Sequence, residues 1–113
     1  GAANRIDYVT TKTALLGMTR AIAIETARTG ITCNAICPGS VATSAIMERI
    51  EGIAREAGEP LEDIARRYAE ERSPMGRFVP TENIGAVAVF LCSPAAAEIT
   101  GSSLPVDGGW LSA

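Results

Sequence analysis

"ITCNAICPG", residues 31–39, is the stretch that decides the fold class of this chain. Residues 31–36 form a short run of apolar and β-branched side chains, and Pro38-Gly39 follows them, which predicts a strand that ends in a turn. The long apolar stretch before it predicts a helix over residues 8–28, with Gly30 as its C-terminal stop. A strand that alternates with helices is typical of the βαβ units of a parallel sheet, so the fold class is α/β.

Residues 41–73 are charged and amphipathic, unlike the chain on either side of them. Gly58 and Pro60 separate two predicted helices, at 44–57 and 61–72. A long polar insertion after a strand is a common way to cover a ligand, so this segment is a candidate substrate lid. The pattern fits a solvated helical hairpin equally well, and the sequence leaves both interpretations open.

The C-terminal segment predicts one further helix and one further strand. Thr81 is the predicted N-cap of the helix. The buried face of this helix is predicted to contain Ile84, Val87, Ala88 and Leu91. A connection at 94–101 leads to the last strand at 103–107, which Asp107-Gly108-Gly109 ends.

Two parallel strands cannot form a complete sheet with both faces covered, because parallel sheets are nearly always buried on both sides. The apolar positions of helix 8–28 are also too widely spread for one core-facing stripe, which predicts burial on two sides. We therefore expect residues 1–113 to be the C-terminal portion of a single larger α/β domain. The rest of that domain is expected upstream of Gly1 or in another chain.

Composition excludes several classes of function. The chain has 113 residues and a formal net charge of −3, so the basic footprint of a nucleic-acid-binding protein is missing. No apolar run is long enough to span a membrane and no signal peptide is apparent, which favours a cytoplasmic protein without a membrane partner. Three cysteines and no histidine argue against a metal site. Cys33, Cys37 and Cys92 are expected to be buried, reduced thiols.

Tyr8 and Lys12 are the candidate catalytic pair. Residues four apart share one face of a helix, so both side chains can reach the same cavity. A free tyrosine has a pKa of about 10 and is mostly neutral at physiological pH, but a nearby cation favours the phenolate. Such a group can act as a general acid or base. Alone, the pair also fits a surface aromatic with a charged neighbour.

The order of motifs around this pair closely resembles the short-chain dehydrogenase/reductase family along essentially the whole chain. These motifs are Tyr8-x-x-x-Lys12, Asn34-Ala35-Ile36-Cys37-Pro38-Gly39, Thr43, Thr100-Gly101 and Val106-Asp107-Gly108-Gly109. The resemblance implies a Rossmann-type doubly wound parallel sheet, of which the N-terminal dinucleotide-binding half is missing here. It also implies an NAD(P)-dependent oxidoreductase.

The resemblance assigns roles to individual residues. Tyr8 is the implied acid/base and is also implied to contact the cofactor, and Lys12 is implied to assist it and to bind the nicotinamide ribose. Pro38 and Gly39 end the strand where the nicotinamide is expected to lie, and the backbone around Val41 is expected to contact its carboxamide. Thr43 is expected to bond the carboxamide or the pyrophosphate.

The resemblance also implies a homotetramer and shows what this chain lacks. The helix that begins near Tyr8 is the usual subunit-pairing helix of the family, and the tail near residues 106–111 usually joins a second interface. The Gly-rich dinucleotide loop, the residue that selects NAD or NADP, and the catalytic serine and asparagine are all expected upstream of Gly1. Residues 1–113 alone are therefore expected to be inactive.

Within the family, two segments look most like the group that acts on 3-hydroxybutyrate: "IETARTGITCNAICPG" and "AVFLCSPAAAEITGSSLPVDGGW". Three residues then become candidates for binding a small 3-hydroxy acid. Arg5 matches a carboxylate-binding lysine of that group, Trp110 a pocket tryptophan, and Arg49 stands where a lid glutamine is usual. Equally, Arg5 fits a solvated loop charge, Trp110 an interface aromatic, and Arg49 a charge on a helix surface.

Two other functions remain open at this stage. One is another reductase of the same family, such as a 3-oxoacyl-carrier-protein reductase that uses NADPH instead of NAD. The other is a truncated, non-catalytic remnant that pairs with intact subunits through helix 8–28.

Overall fold

The computed structural model describes residues 4–113, and residues 1–3 lie outside the described part. The described chain has α/β architecture and forms two compact units. One contains the chain up to Ile36 together with Val87–Leu104, and the other contains Cys37–Ala86 together with Pro105–Ala113.

The helices are α1 (Ile6–Thr26), α2 (Ser44–Ala57), α3 (Leu61–Glu70) and α4 (Thr81–Leu91). The strands are β1 (Ala35–Pro38) and β2 (Ser103–Val106), and single 3-10 turns lie at Pro94–Ala96 and Trp110–Ser112. The two strands are neighbours in a two-stranded sheet. Their register is parallel, because Ala35 N donates to Ser102 O in the first unit and Gly39 N donates to Val106 O in the second.

Helix α1 begins at Ile6 and ends at Thr26, so it is shifted toward the N-terminus relative to the predicted 8–28. The Thr29 amide donates back to Thr26 O at 2.8 Å, and Gly30 takes a φ of +77°, which turns the chain out of the helix. Only Thr19 and Ala23 of α1 are buried. Within the described residues, the helix therefore buries one narrow stripe, and burial of its second side, against the rest of the domain or a partner subunit, stays a prediction.

Strand β1 starts at Ala35, later than the predicted start of the strand at residue 31. Side chains hold the preceding residues to the chain before β2. The Cys33 amide donates to Thr100 Oγ1 at 3.1 Å, Asn34 Nδ2 donates to Ile99 O at 2.7 Å, and the Ser102 amide donates to Asn34 Oδ1 at 3.1 Å. These side-chain bonds take the place of regular backbone hydrogen bonds between strands, which explains why β1 starts later than predicted.

The second unit contains a helical hairpin of α2 and α3. Thr43 caps α2 at its N-terminus, and Gly58 ends it with a φ of +67°, so the predicted bounds 44–57 are confirmed. Helix α3 stops at Glu70, slightly before the predicted residue 72. Ile50, Ala54 and Ile64 form the core between the two helices. The hairpin thus buries its own apolar faces.

Helix α4 begins at Thr81, which is its first residue and not its predicted N-cap. Pro80 O accepts a 3.1 Å bond from the Asn83 amide in the first turn. The predicted face of α4 is correct in position, but its residues are half-buried and not buried: Ile84, Val87, Ala88 and Leu91.

The three cysteines are free thiols, and two of them, Cys33 and Cys37, are half-buried. Cys92 is exposed, so the prediction of burial is wrong at this position. Cys92 follows directly after α4, where the chain turns at the surface of its unit. No helix within residues 4–113 is long and apolar enough to cross a membrane.

Candidate active site

Tyr8 lies in the first turn of α1 with a cation on either side of it in the sequence. Arg5 Cζ lies 4.7 Å from the centre of the Tyr8 ring, and Lys12 Nζ lies 5.7 Å from the same point. Both distances fall within the range of a cation–π interaction, which stabilises by about 0.5–1 kcal/mol at exposed sites. The structure therefore brings together three of the residues that the sequence singles out.

The start of α1 sets this arrangement. Arg5 occupies the N-cap position with a non-helical backbone (φ −139°), and its carbonyl oxygen accepts a 2.8 Å bond from the Val9 amide. Thr11 Oγ1 bonds back to the carbonyl oxygens of Asp7 and Tyr8 at 3.0 and 2.9 Å, so it points along the helix and not toward the ring. The helical repeat then places Lys12 one turn after Tyr8 on the same face.

The phenol of Tyr8 is accessible, since 48% of the residue is exposed. Neither Arg5 nor Lys12 takes part in a salt bridge among residues 4–113; the ion pairs found there all involve residues 59–72. The donors of both cations are thus open to an incoming ligand. The cluster therefore combines a phenolic hydroxyl, which can donate or accept a hydrogen bond, with two cationic donors.

Segment 39–43, which follows β1, is the second part of the predicted site and belongs to the second unit. Gly39 N donates to Val106 O at 3.0 Å, and Ser40 O accepts a 2.8 Å bond from the Val79 amide. Thr43 N donates to Val41 O at 2.7 Å just before α2 begins. Segment 39–43 is therefore held to other parts of its unit by backbone bonds at Gly39 and Ser40, with Pro38 exposed at the end of β1.

Thr43 has a structural role that the sequence interpretation missed. Its Oγ1 accepts a 3.4 Å hydrogen bond from the Ile46 amide and caps α2. A threonine immediately before an amphipathic helix is a normal N-cap signal, so this role was available from the sequence. The cap bond is long and exposed, which leaves the hydroxyl able to donate its own proton to another acceptor.

The other two predicted substrate residues lie elsewhere in the second unit. Trp110, 47% exposed, lines a cleft of about 260 Å³ together with residues 70–74 and Ala113. Arg49 is exposed on α2 and does not line that cleft. The structure thus places Arg5 beside the catalytic candidate, whereas it does not bring Arg49 and Trp110 together.

A larger cleft of about 340 Å³ lies beside the end of β2 in the second unit. The chain between α3 and α4 forms one wall and the Asp107 turn forms the other, with Arg77, Asn83 and Asp107 as polar lining residues. The sequence interpretation assigned no ligand-binding role to these three side chains. Their proximity depends on contacts between distant parts of the chain, which no local pattern indicates.

Comparison with known proteins agrees with the fold. A family model described as enoyl-(acyl carrier protein) reductase matches residues 1–111. A D-beta-hydroxybutyrate dehydrogenase of Cupriavidus necator is 42% identical over 110 residues, which cover 97% of this chain and 43% of that enzyme. The chain therefore spans less than half the length of this curated relative.

Two solved structures resemble the chain closely. A short-chain dehydrogenase family protein of Francisella tularensis superposes with a TM-score of 0.89 at 27% identity, over 100% of this chain and 46% of the other. L-sorbose reductase of Gluconobacter frateurii, solved with NADPH and L-sorbose, gives a TM-score of 0.87 at 31% identity, over 94% of this chain and 40% of that one. The α/β fold with its parallel sheet is thus of the Rossmann type. With its family-model match, its fold and its Tyr8-x-x-x-Lys12 helix, the chain belongs to the short-chain dehydrogenase/reductase family of oxidoreductases.

Proposed function

We propose that the protein transfers a hydride between a nicotinamide cofactor and a small 3-hydroxy acid such as 3-hydroxybutyrate, with Tyr8 as the acid/base. The observation that carries this proposal is the accessible Tyr8 phenol beside Lys12 and Arg5 on α1. In the oxidation, Tyr8 takes the proton of the substrate hydroxyl while hydride leaves the carbon that bears it. In the reduction, Tyr8 returns that proton to the forming alcohol.

The residues that would hold the cofactor fit a nicotinamide dinucleotide. Lys12 carries three donors and makes no salt bridge within residues 4–113, so it can donate to ribose hydroxyls. The backbone next to Pro38, at Gly39, and the backbone at Val41 would contact the nicotinamide. The exposed Thr43 hydroxyl would supply a further donor. When bound, the nicotinamide ring supplies the hydride acceptor or donor.

NAD is the cofactor that we propose, and NADP is the second candidate. The hydroxybutyrate dehydrogenase relative supports the assignment of substrate class, whereas the structural relative L-sorbose reductase was solved with NADPH. The residue that selects between the two cofactors is expected in the dinucleotide-binding half, outside this chain.

The carboxylate of a 3-hydroxy acid would pair with Arg5. A guanidinium binds a carboxylate with two parallel hydrogen bonds, and Arg5 already lies next to the reacting phenol. Arg49 and Trp110 are proposed as additional substrate contacts in the closed form of the α2–α3 hairpin, which would act as the lid. In the structure Arg49 is exposed on α2, and Trp110 lines the cleft formed with residues 70–74 and Ala113.

A 3-oxoacyl-carrier-protein reductase that uses NADPH is the second candidate function. It is favoured by the family model, whose description refers to acyl carrier protein. The two functions differ in substrate size and charge but share the chemistry of Tyr8. A non-catalytic remnant that pairs with intact subunits through α1 is the third candidate.

We further propose that the intact enzyme is a cytoplasmic homotetramer. Leu15, Met18 and Ile24 of α1 are 44–79% exposed, an apolar surface that the rest of the domain and a partner subunit would cover between them. Three free cysteines fit a reducing compartment. We expect residues 1–113 expressed alone to bind no NAD(H), because the loop that would cradle the pyrophosphate is not among them.

The test is an assay of the intact protein with D-3-hydroxybutyrate and NAD⁺ or NADP⁺, monitored by formation of the reduced cofactor. We expect turnover with NAD⁺ that exceeds turnover with NADP⁺. Reduction of a 3-oxoacyl thioester with NADPH, without oxidation of hydroxybutyrate, would favour the second candidate function. Absence of turnover with every alcohol and ketone tested would favour the non-catalytic remnant.

A further inference from the structure

The C-terminal end of the α2–α3 hairpin is fastened to the turn that follows β2. Ser73 comes shortly after α3 and is only 4% exposed. Its Oγ donates a hydrogen bond to the carbonyl oxygen of Gly108 at 3.2 Å. The Met75 amide donates to the same oxygen, also at 3.2 Å. Two donors from one short segment thus share a single acceptor on the turn.

The turn itself is a rigid anchor. Gly108 and Gly109 have φ values of +65° and +91°, in the left-handed region that favours glycine. Asp107 locks the turn, since its Oδ1 accepts from the Gly109 amide at 2.9 Å and its Oδ2 from the Leu111 amide at 3.0 Å. A Cβ on Gly108 would collide with Ser73 Oγ, so the close approach of Ser73 requires glycine there.

Residues 72–79, which we term the clasp, also reach the segment proposed to hold the cofactor. Val79 is 8% exposed and its amide donates to Ser40 O at 2.8 Å. The Phe78 ring stacks on the Tyr68 ring of α3 with centroids 6.1 Å apart, and Arg72 Cζ lies 3.8 Å from the Tyr68 ring centre. The clasp therefore connects α3, the Gly108 turn and Ser40.

Among the described residues, the other end of the hairpin has no buried side-chain bond of this kind. Its N-terminal attachment at Thr43 is exposed, and the cap bond to the Ile46 amide is 3.4 Å long. Between its ends the hairpin has its own core of Ile50, Ala54 and Ile64. A hairpin with its own core can move as one body, and the clasp would then limit its range of movement.

We propose that Ser73 is a positioning residue whose buried hydroxyl fixes the C-terminal end of the hairpin against Gly108 and so sets where the hairpin closes over the substrate. The inference rests on the proposed function, in which the hairpin is the substrate lid. Ser73 need not touch the substrate. It acts through the clasp, by limiting the fraction of molecules whose hairpin lies away from the closed position.

The first test measures amide hydrogen exchange in the intact protein without ligand. Ser73→Ala removes one donor and leaves Gly108 O bonded to the Met75 amide, so no buried acceptor is orphaned. We expect exchange in residues 73–79 to become about 2- to 10-fold faster, the effect of losing one net hydrogen bond, with exchange in α1 unchanged. Ser93→Ala is the matched control, because its hydroxyl also bonds a backbone carbonyl, that of Phe90 at 2.6 Å.

The second test measures steady-state kinetics of the same variants. We expect Ser73→Ala to raise the KM for the hydroxy acid about 2- to 10-fold with kcat retained, because a smaller fraction of molecules has a binding-competent hairpin. Ser93→Ala should change neither parameter.

Four results would overturn the inference. Two concern exchange: residues 73–79 of Ser73→Ala exchange as slowly as in the wild type, or faster exchange extends equally through α1. Two concern kinetics: local exchange is faster but KM is unchanged, or kcat falls without a change in KM. If the wild-type protein oxidises no hydroxy acid, the proposed function fails. In that case the exchange measurement still decides whether Ser73 fastens the hairpin.

Discussion

Gly39 lies so close to Asp107 that a Cβ at position 39 would be 2.7 Å from the Asp107 Cα and 2.8 Å from its carbonyl oxygen. These are backbone atoms, so they cannot rotate away as the end of a side chain can. The 3.0 Å bond from the Gly39 amide to Val106 O keeps the two chain segments together. Gly39 is therefore required by close approach of the backbone, not by its own φ.

We predict that Gly39→Ala lowers the free energy of unfolding by about 1–3 kcal/mol, the usual cost of forcing extra atoms into a packed position. Urea denaturation of the intact protein measures it. Gly52→Ala is the matched control, since no atom lies within 4 Å of a Cβ at that helical position. The control should be neutral or stabilising by up to about 1 kcal/mol. Equal stability of the Gly39 variant and the wild type would contradict the close approach.

Asn34 joins the chain before β1 to the chain before β2 through both atoms of its amide. Asn34→Ala would leave the Ile99 carbonyl and the Ser102 amide without their partner, at a cost of about 1–3 kcal/mol for each group that stays buried. We therefore predict a lower melting temperature for this variant. Thr29→Ala, which removes only an exposed bond to Thr26 O, should melt as the wild type does. An unchanged melting temperature for Asn34→Ala would show that water replaces both bonds.

Ile50 is completely buried in the core of the α2–α3 hairpin, whereas Ile53 of the same helix is 38% exposed. Ile50→Ala should cost about 2–5 kcal/mol, because it creates a cavity between the two helices. Ile53→Ala should cost less than half as much. Chemical denaturation, or proteolysis within residues 44–70, compares the two variants. Similar effects of both substitutions would mean that the hairpin does not contain the core that the structure describes.

Arg5 offers a test of the proposed substrate class. Arg5→Met keeps an apolar side chain of similar length but removes the charge, so we predict a rise of about 2- to 10-fold in the KM for D-3-hydroxybutyrate, given that the guanidinium is exposed. Arg20→Met on the same helix is the control and should have no effect. A KM that rises equally for an uncharged secondary alcohol would argue against pairing of Arg5 with a carboxylate.

The α2–α3 hairpin could be predicted almost to the residue, because its boundaries depend on local chemistry: Thr43 before α2, Gly58 after it, and amphipathic spacing between them. The Tyr8–Lys12 pair could be predicted for the same reason, since the helical repeat alone places both side chains on one face. The start of β1 could not, because it depends on bonds between Asn34 and residues far along the chain. Ser73 was missed for a similar reason: its partner, Gly108, belongs to another segment of the chain.

The acid/base role of Tyr8 is tested most directly by measuring hydride transfer by the Tyr8→Phe variant of the intact protein, together with its affinity for the cofactor. The variant keeps the aromatic ring between Arg5 and Lys12 and removes only the hydroxyl. We predict that kcat for D-3-hydroxybutyrate falls by about 10²-fold or more, the usual contribution of a general acid/base, while the dissociation constant for NADH changes far less. If Tyr8→Phe binds the cofactor normally and keeps the wild-type kcat, Tyr8 is not the general acid/base.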